Sequence, residues 1–495
     1  MSPIYRAYLH LSPNNFSMNS NTVLDIFKEI TTIPRESEHE QPMTDFLLQW
    51  AAKRKLEARR DAIGNVCITK EAAPGKEAVP TLVLQAHQDM VCEKSPNSKH
   101  NFLTDPIEYV IEDGWMIAKD TTLGADDGIG IAACLALLDS DTPCGKLECI
   151  FTISEETGMD GAMQMEEGFF TGKTLINLDS EDEGQMFIGC AGGVTTEAVF
   201  DFQTTAAKQG WSRIKLTISG GVGGHSGDDI NKERVNTVQQ MCRFLYGELD
   251  NIQLIHINGG GKHNAIAREC SAAVTTPDPE ALAARFLEFG EALKNEYKVS
   301  EPSLCFSTKV PEHPCAHLPM RDEDARRIVS SLFACPHGVL AMSQTIKDFV
   351  ETSTNLASVK TDMEACTISV CTSQRSSTRS SCHMAAAKVE AALSLGGAKV
   401  EHLSEYPGWA PDVNSAILRH CVASYEKLFG QKPLVLAIHA GLECGLFLEK
   451  FPGLDMISFG PTLRGVHAPG EKLELASLDK FTRHLEDVVT TYTGQ

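Results

Sequence analysis

Apolar positions recur with a helical period in some stretches of this chain and close into short unbroken runs in others. Leu24, Phe27 and Ile30, then Met43, Phe46, Leu47 and Trp50, have helical spacing. Pro42 suits a first helical turn. TLVLQAH (81–87), LECIFTIS (147–154) and TLINLD (174–179) are nearly continuous apolar runs, as expected of strands buried on both faces. The glycine-rich GADDGIGIAACLALL (124–138), between the first two runs, opens a helix. Strands and helices thus alternate over 20–193. This predicts an α/β domain with a largely parallel central sheet flanked by helices.

From about residue 194 the pattern changes. SRIKLTISG (212–220) alternates apolar and polar positions, as a half-exposed strand does. Helical stretches follow at 232–248, 279–297, 322–334 and 382–395, with strand-like segments between them. The region 194–405 therefore reads as an inserted α+β domain. The chain returns at YPGWAP (406–411). PLVLAI (433–438) and DMISFGP (455–461) are further strands, before a last helix carrying Leu478, Phe481, Leu485 and Val488. Residues 406–495 read as the second part of the first domain.

The length of 495 residues exceeds what one core usually supports, in keeping with two domains. Residues 1–19 lack the charged start and apolar core of a secretory signal and read as a flexible tail, with Met18 a candidate start. The longest apolar runs, such as IGIAACLALL (129–138), are too short to span a bilayer. The net charge of −22 argues against nucleic acid or an anionic membrane as a partner, while an acidic site can hold cations. The sixteen cysteines are scattered singly, with no CxxC pair, and read as reduced thiols in a cytoplasmic protein.

Five segments carry residues able to bind metal. His87 and Asp89 close the first strand, and Asp126 and Asp127 sit in LGADDGIG. Glu155 and Glu156 end LECIFTISEE, Asp179 ends TLINLD, and His467 lies in GPTLRGVHAPGE. Any one alone would ordinarily be a loop or capping residue. In an open α/β sheet, however, ligands gather outside the carboxyl ends of strands, and most of these residues fall there together. Imidazole and carboxylate suit zinc. Two histidines and three carboxylates can serve two ions if one carboxylate bridges. Two nearby cations lower the pKa of a shared water towards about 7. A further carboxylate must then take the water's proton and pass it to the leaving amine, and Glu155, next to a ligand, is placed for this. Asp89 can hold the second ring nitrogen of His87. The run Glu181, Asp182 and Glu183 reads as solvated surface.

The segments HQD (87–89), TTLGADDGIG, ISEETGMDGA, NLDSEDEG, GGHSGDDI, HAGLECG and RGVHAPGE together resemble the dinuclear-zinc exopeptidase family that includes carnosinases and aminoacylases. The likeness runs over nearly the whole chain from about residue 20, and the motifs are specific in combination. It implies a zinc-exopeptidase catalytic domain with an inserted lid domain. It also implies two Zn2+ per chain, with Mn2+ or Co2+ as substitutes. His87, Asp126 and Asp179 would hold one ion. Asp126, Glu156 and His467 would hold the other, with Glu155 as general base and a cis peptide between Asp126 and Asp127. Relatives can carry Asn where Asp127 stands, so the extra carboxylate leaves open which aspartate bridges. In the lid, the resemblance implies that His225 stabilises the oxyanion and that Asn264 and Arg375 contact substrate, Arg375 as a carboxylate clamp. Gly441 and Glu443 would form a pocket loop facing the substrate amine. A lid of about 200 residues is either a doubled unit closing on its own catalytic domain or a dimerising one. Family relatives point to a homodimer.

The function so implied is a metal-dependent dipeptidase for Xaa-His and other unblocked dipeptides. The alternative is an N-acyl-amino-acid amidohydrolase with the same ligands, which should not need a free amine. A non-catalytic peptide- or metal-binding protein would have no use for Glu155. GGVGGHSG lacks the spacing of a dinucleotide loop and is not GxSxG.

Overall fold

The computed structural model describes residues 18–311 and 317–494. They form two compact units. The first runs to Ile188 and includes Asp412–Leu436 and the chain from Leu446 on; the second is Gly189–Pro411 with Ala437–Gly445. The segment 437–445, expected in the first domain, thus belongs to the second unit. Of the expected tail, residues 1–17 lie outside the described residues. Met18 is buried, and the Asn19 side chain caps the first helix by accepting the Thr22 N–H.

The first unit is built on an eight-stranded sheet in the order Glu57–Arg60, Val66–Lys70, Leu147–Thr152, Leu82–His87, Thr174–Asn177, Asp455–Ser458, Gln185–Cys190, Leu434–Ile438. Only the four central strands, from Leu147–Thr152 to Asp455–Ser458, pair in parallel. Their neighbours on either side pair antiparallel, so the parallel character is confined to the centre. Leu82–His87 and Leu147–Thr152 are buried at every position, which explains their nearly continuous apolar runs. The helix Ala125–Asp139 is apolar nearly all round and packs on Leu82–His87 and on the helix Ser20–Ile30. That second contact decides which face of Ser20–Ile30 is core: Val23, Ile26, Phe27 and Ile30 are buried, while the expected Leu24 is only half-buried. Phe46 of the helix Gln41–Arg54 is likewise half-buried, beside buried Met43, Leu47 and Trp50.

The second unit holds one nine-stranded antiparallel sheet. Its topology is a βαββαβ unit used twice. In one half, strands Ser212–Ser219, Gln253–Gly260, Cys270–Thr276 and Cys305–Lys309 alternate with helices Thr237–Glu248 and Pro279–Glu296. In spatial order these strands run fourth, first, third, second. In the other half, strands Gly192–Asp201, Val350–Asp362, Thr367–Ser376 and Lys399–Tyr406, with helices Asp322–Ala334 and Arg379–Leu395, show the same order reversed. The halves join through their second strands, where Gly259 pairs with Val359 and Gly260 with Ser358. The expected helix at 232–248 starts later, at Thr237, because the Asn236 side chain accepts the Gln239 N–H and fixes the first turn there. A continuous core lies between sheet and helices, with Phe286 against Phe244 and Phe306 at centroid distances of 4.9 and 5.5 Å.

Candidate active site

The parallel strands deliver most of the first unit's chemistry at their carboxyl ends. His87 is the last residue of Leu82–His87, and Glu155 and Glu156 open a short helix just beyond Leu147–Thr152. Asp179 follows Thr174–Asn177, and Asp126 stands at the kinked start of Ala125–Asp139, where its peptide bond to Asp127 is cis. His467 sits in the turn between Leu463–Arg464 and Lys472–Glu474, with a left-handed backbone (φ 61°).

Asp126 lies at the middle of the group. Its Oδ1 is 3.0 Å from His87 Nε2 and its Oδ2 is 3.1 Å from His467 Nε2. Asp179 Oδ1 is 3.6 Å from His87 Nε2, and Glu156 Oε2 is 3.0 Å from His467 Nε2. One donor atom from each of His87, Asp126 and Asp179 lies within 4.8 Å of the others, and the same holds for Asp126, Glu156 and His467 and for His87, Glu155 and Glu156. Asp127 points elsewhere: its Oδ1 accepts the Gly130 N–H at 3.0 Å and caps the helix.

Asp89 is 0% exposed. A buried carboxylate costs several kcal/mol unless it is paired and hydrogen-bonded, and here it is both. It faces His87 Nδ1 at 3.3 Å and accepts from Ser37 Oγ at 2.8 Å. It also accepts the backbone N–H groups of Glu155 at 3.1 Å and Glu156 at 3.2 Å. One side chain therefore orients the imidazole and anchors the segment carrying Glu155 and Glu156.

The charges are crowded. Burial, with the Asp126 carboxylate beside it, pushes the Asp179 carboxyl up to about 8. Burial opposes ionisation of Asp126 too, yet hydrogen bonds from His467 and His87 hold it well below the usual carboxylate range. Hydrogen bonds to Asp126 and Glu156 push the His467 imidazole up to about 11. Such a cluster calls for cations. Two imidazoles offering Nε2, several carboxylates, and one carboxylate touching both imidazoles are a donor set that fits divalent ions of the zinc, manganese and cobalt kind.

Several supports had no signal that sequence reading used. Glu471, buried, accepts the N–H groups of Leu123, Gly124 and Ala125 at 2.8, 3.1 and 2.8 Å. It ties the hairpin of His467 to the loop of Asp126. The only available hint was its place in RGVHAPGE. Arg35, also buried, donates to the carbonyls of Gln88 at 3.0 Å and Asp89 at 2.6 Å and to that of Gly124. A Cβ on Gly124, whose φ is +67°, would sit 2.5 Å from Arg35. Glu40 accepts from Ser154 N–H and Oγ at 2.9 and 3.0 Å, fixing the left-handed residue before Glu155. The run 181–183 is more than solvated surface. Asp182 pairs with Arg464 at 2.6 Å, and Glu183 accepts from Tyr425 at 2.5 Å and Lys480 at 3.1 Å.

The second unit carries the other expected residues. His225 lies in the loop after Ser212–Ser219. Its Nδ1 accepts the N–H groups of Gly227 at 3.3 Å and Asp228 at 3.4 Å. Burial and the Arg375 guanidinium lower its pKa. A neutral ring with Nδ1 accepting carries its proton on Nε2 and can donate there. Asn264 is pinned beside it, its carbonyl accepting the Ser226 N–H at 2.8 Å. Arg375 is 7% exposed; its NH1 donates to Tyr406 Oη at 3.0 Å, and its Nε has no hydrogen-bond partner among the described residues. Gly441 is half-buried, and Glu443 is fully buried at the start of Glu443–Lys450.

Known proteins resemble the chain as follows. The chain is 37% identical over 471 residues to the cytosol non-specific dipeptidase of Escherichia coli (strain K12), covering 94% of this chain and 96% of that protein. The crystal structure of aminoacylhistidine dipeptidase from Vibrio alginolyticus superposes with a TM-score of 0.89 at 38% identity, covering 96% of this chain and 97% of that one. An aminopeptidase PepT from Bacillus cereus shares the fold, with a TM-score of 0.57 at 16% identity, over 96% of this chain and 98% of its own. Residues 83–491 match Peptidase family M20/M25/M40, so the chain belongs to that family and is a metallopeptidase.

Proposed function

We propose that this chain is a metal-dependent dipeptidase acting on Xaa-His and other unblocked dipeptides in the cytoplasm. The observation that carries the reading is Asp126, with one oxygen against each imidazole and Glu155 anchored nearby through Asp89. His87, Asp126 and Asp179 would hold one ion, and Asp126, Glu156 and His467 the other. Zn2+ is the proposed metal, with Mn2+ or Co2+ as substitutes. When bound, such a pair supplies Lewis acidity and lowers the pKa of water.

The chain's own residues do the rest. Glu155 takes a proton from the attacking water on its carboxylate and delivers it to the leaving nitrogen as the C–N bond breaks. Asp89 keeps His87 in one orientation and keeps Glu155 in reach. His225 donates from Nε2 to the carbonyl oxygen as negative charge builds there. Arg375 pairs with the substrate carboxylate, and its buried, incompletely partnered guanidinium supports that role. Asn264 makes a further substrate contact. Gly441 and Glu443 face the substrate amine. A site that pairs both charged ends of a free dipeptide measures its length.

A homodimer remains the proposed assembly, and light scattering of the purified protein tests it. The central test is hydrolysis of free β-Ala-His, Gly-His, Leu-Gly and N-acetyl-Leu, before and after chelation and zinc restoration. Metal-dependent cleavage of the dipeptides alone is expected. Cleavage of only the acetyl compound would move the chain to the amidohydrolases.

A further inference from the structure

Beneath the carboxylate–imidazole cluster, four fully buried polar side chains, one on each of the four parallel strands, are joined to one another. These are Thr152, Gln85, Asn177 and Ser458. Gln85 is in register with Asn177, and Asn177 with Ser458; Thr152 is in register with His87, two residues further along. The strand positions around them, including Leu84, Ile150, Ile176 and Ile457, are apolar and buried.

The hydrogen bonds form a continuous chain running one way. Ser180 Oγ, just beyond the third strand, lies 2.7 Å from Ser458 Oγ, which donates to Asn177 Oδ1. Asn177 Nδ2 donates to Gln85 Oε1 at 2.5 Å. Gln85 Nε2 donates to Thr152 Oγ1 at 3.2 Å, and Thr152 Oγ1 to the Ala86 carbonyl at 3.4 Å. Each donor takes the acceptor the next group offers, so the bonds reinforce one another.

Such a belt is a poor way to gain stability, because well-packed apolar side chains in its place would be nearly neutral. Its value lies in geometry. Gln85 is two residues before His87, Asn177 two before Asp179, and Thr152 three before Glu155. We infer that this belt is a positioning device. It locks the lateral spacing and stagger of the strand ends, so that His87, Asp179 and the Glu155–Glu156 segment meet a cation at the right separation. The inference rests on the metal-centre reading above.

The test compares wild type with Asn177→Leu, Gln85→Leu, Ser458→Ala and Ser458→Thr. Divalent-metal affinity is read by competition with a chromophoric chelator, and melting temperature is taken with and without Zn2+. The expected result is a loss of metal affinity of about 10-fold or more, the size seen when groups supporting metal ligands are removed. The metal-free melting temperature should fall, because each Leu or Ala variant leaves a buried partner unsatisfied, and the stabilisation gained on adding Zn2+ should shrink as well. Ser458→Thr, which keeps the hydroxyl, should stay near wild type. Should Asn177→Leu fail to fold, the two Ser458 variants decide. Unchanged affinity, or a lower melting temperature with the zinc-induced gain intact, would reduce the belt to a packing feature and overturn the proposal. A wild-type protein that takes up no divalent cation would sink the metal-centre reading itself, a different and recognisable outcome.

Discussion

The parallel strands of the first unit and the antiparallel strands of the second hold their chemical groups in different ways. In the first, ligand candidates emerge from strand ends and are fixed by residues remote in sequence. Arg35 grips two loops, Glu40 holds Ser154, Asp89 anchors Glu155 and Glu156, and Glu471 staples the His467 hairpin to the Asp126 loop. In the second, His225 is oriented by amides of its own glycine-rich loop, and Arg375 by one tyrosine. A cation needs several atoms placed at once, so its site is supported from many directions. A donor to substrate, the role proposed for His225, needs one atom placed, and its loop is held by few bonds, among them the Ser226 N–H on the Asn264 backbone carbonyl. Damage in the first unit should therefore appear in metal binding, except at the one group that handles protons. Damage in the second should appear in turnover and substrate binding, with metal binding unchanged.

The largest effect tests that exception. Glu155→Gln should lower kcat by about 10²- to 10⁴-fold, the range of a lost general base, while metal content by mass spectrometry stays at the wild-type value. Normal turnover in the variant would remove Glu155 from the mechanism. Next comes His225→Ala. It should lower kcat by about 10²- to 10³-fold, as loss of an oxyanion donor does, with metal content again unchanged. Loss of metal from this variant would break the division between the units. Asp89→Asn follows. It keeps the side chain's shape but weakens the pairing with His87 and the two amides, and metal affinity should fall about 10- to 100-fold. Metal titration of the variant checks it; intact affinity would leave Asp89 only a structural role.

The same contrast explains what the sequence could reveal. Strands buried on both faces make nearly continuous apolar runs, and the residues at or just beyond their ends, His87, Glu155, Glu156 and Asp179, stand out against that background. Glu471 and Arg35 do not stand out. A lone acid or base in a loop has no periodic signature, and Glu471 acts on amides 346 to 348 positions away. The length of the lid allowed a doubled unit or a dimerising one, but the strand order of the doubled sheet was hidden, for a topological reason. Strand Gly192–Asp201 is separated from the helix and strands of its own half by the whole of the other half. Neighbours in sequence are then not neighbours in space, and alternation alone could say only α+β.

The smallest expected effect concerns two adjacent aspartates, of which the resemblance favoured Asp126 as the bridge while Asp127 left that choice open. Asp126 spreads its two oxygens over His87 and His467, whereas Asp127 turns one oxygen back to the Gly130 N–H as a helix cap. An asparagine at 127 keeps that acceptor, and Asn caps a helix about as well as Asp, so stability should change by no more than about 1 kcal/mol. Metal stoichiometry should stay at the wild-type value. Asn at 126 keeps one oxygen and loses the charge shared by the two imidazoles, so Asp126→Asn should lose metal. If Asp127→Asn were instead the variant to lose an ion, the bridging role would pass to Asp127. The separation between supports and ligands in the first unit would then have to be redrawn.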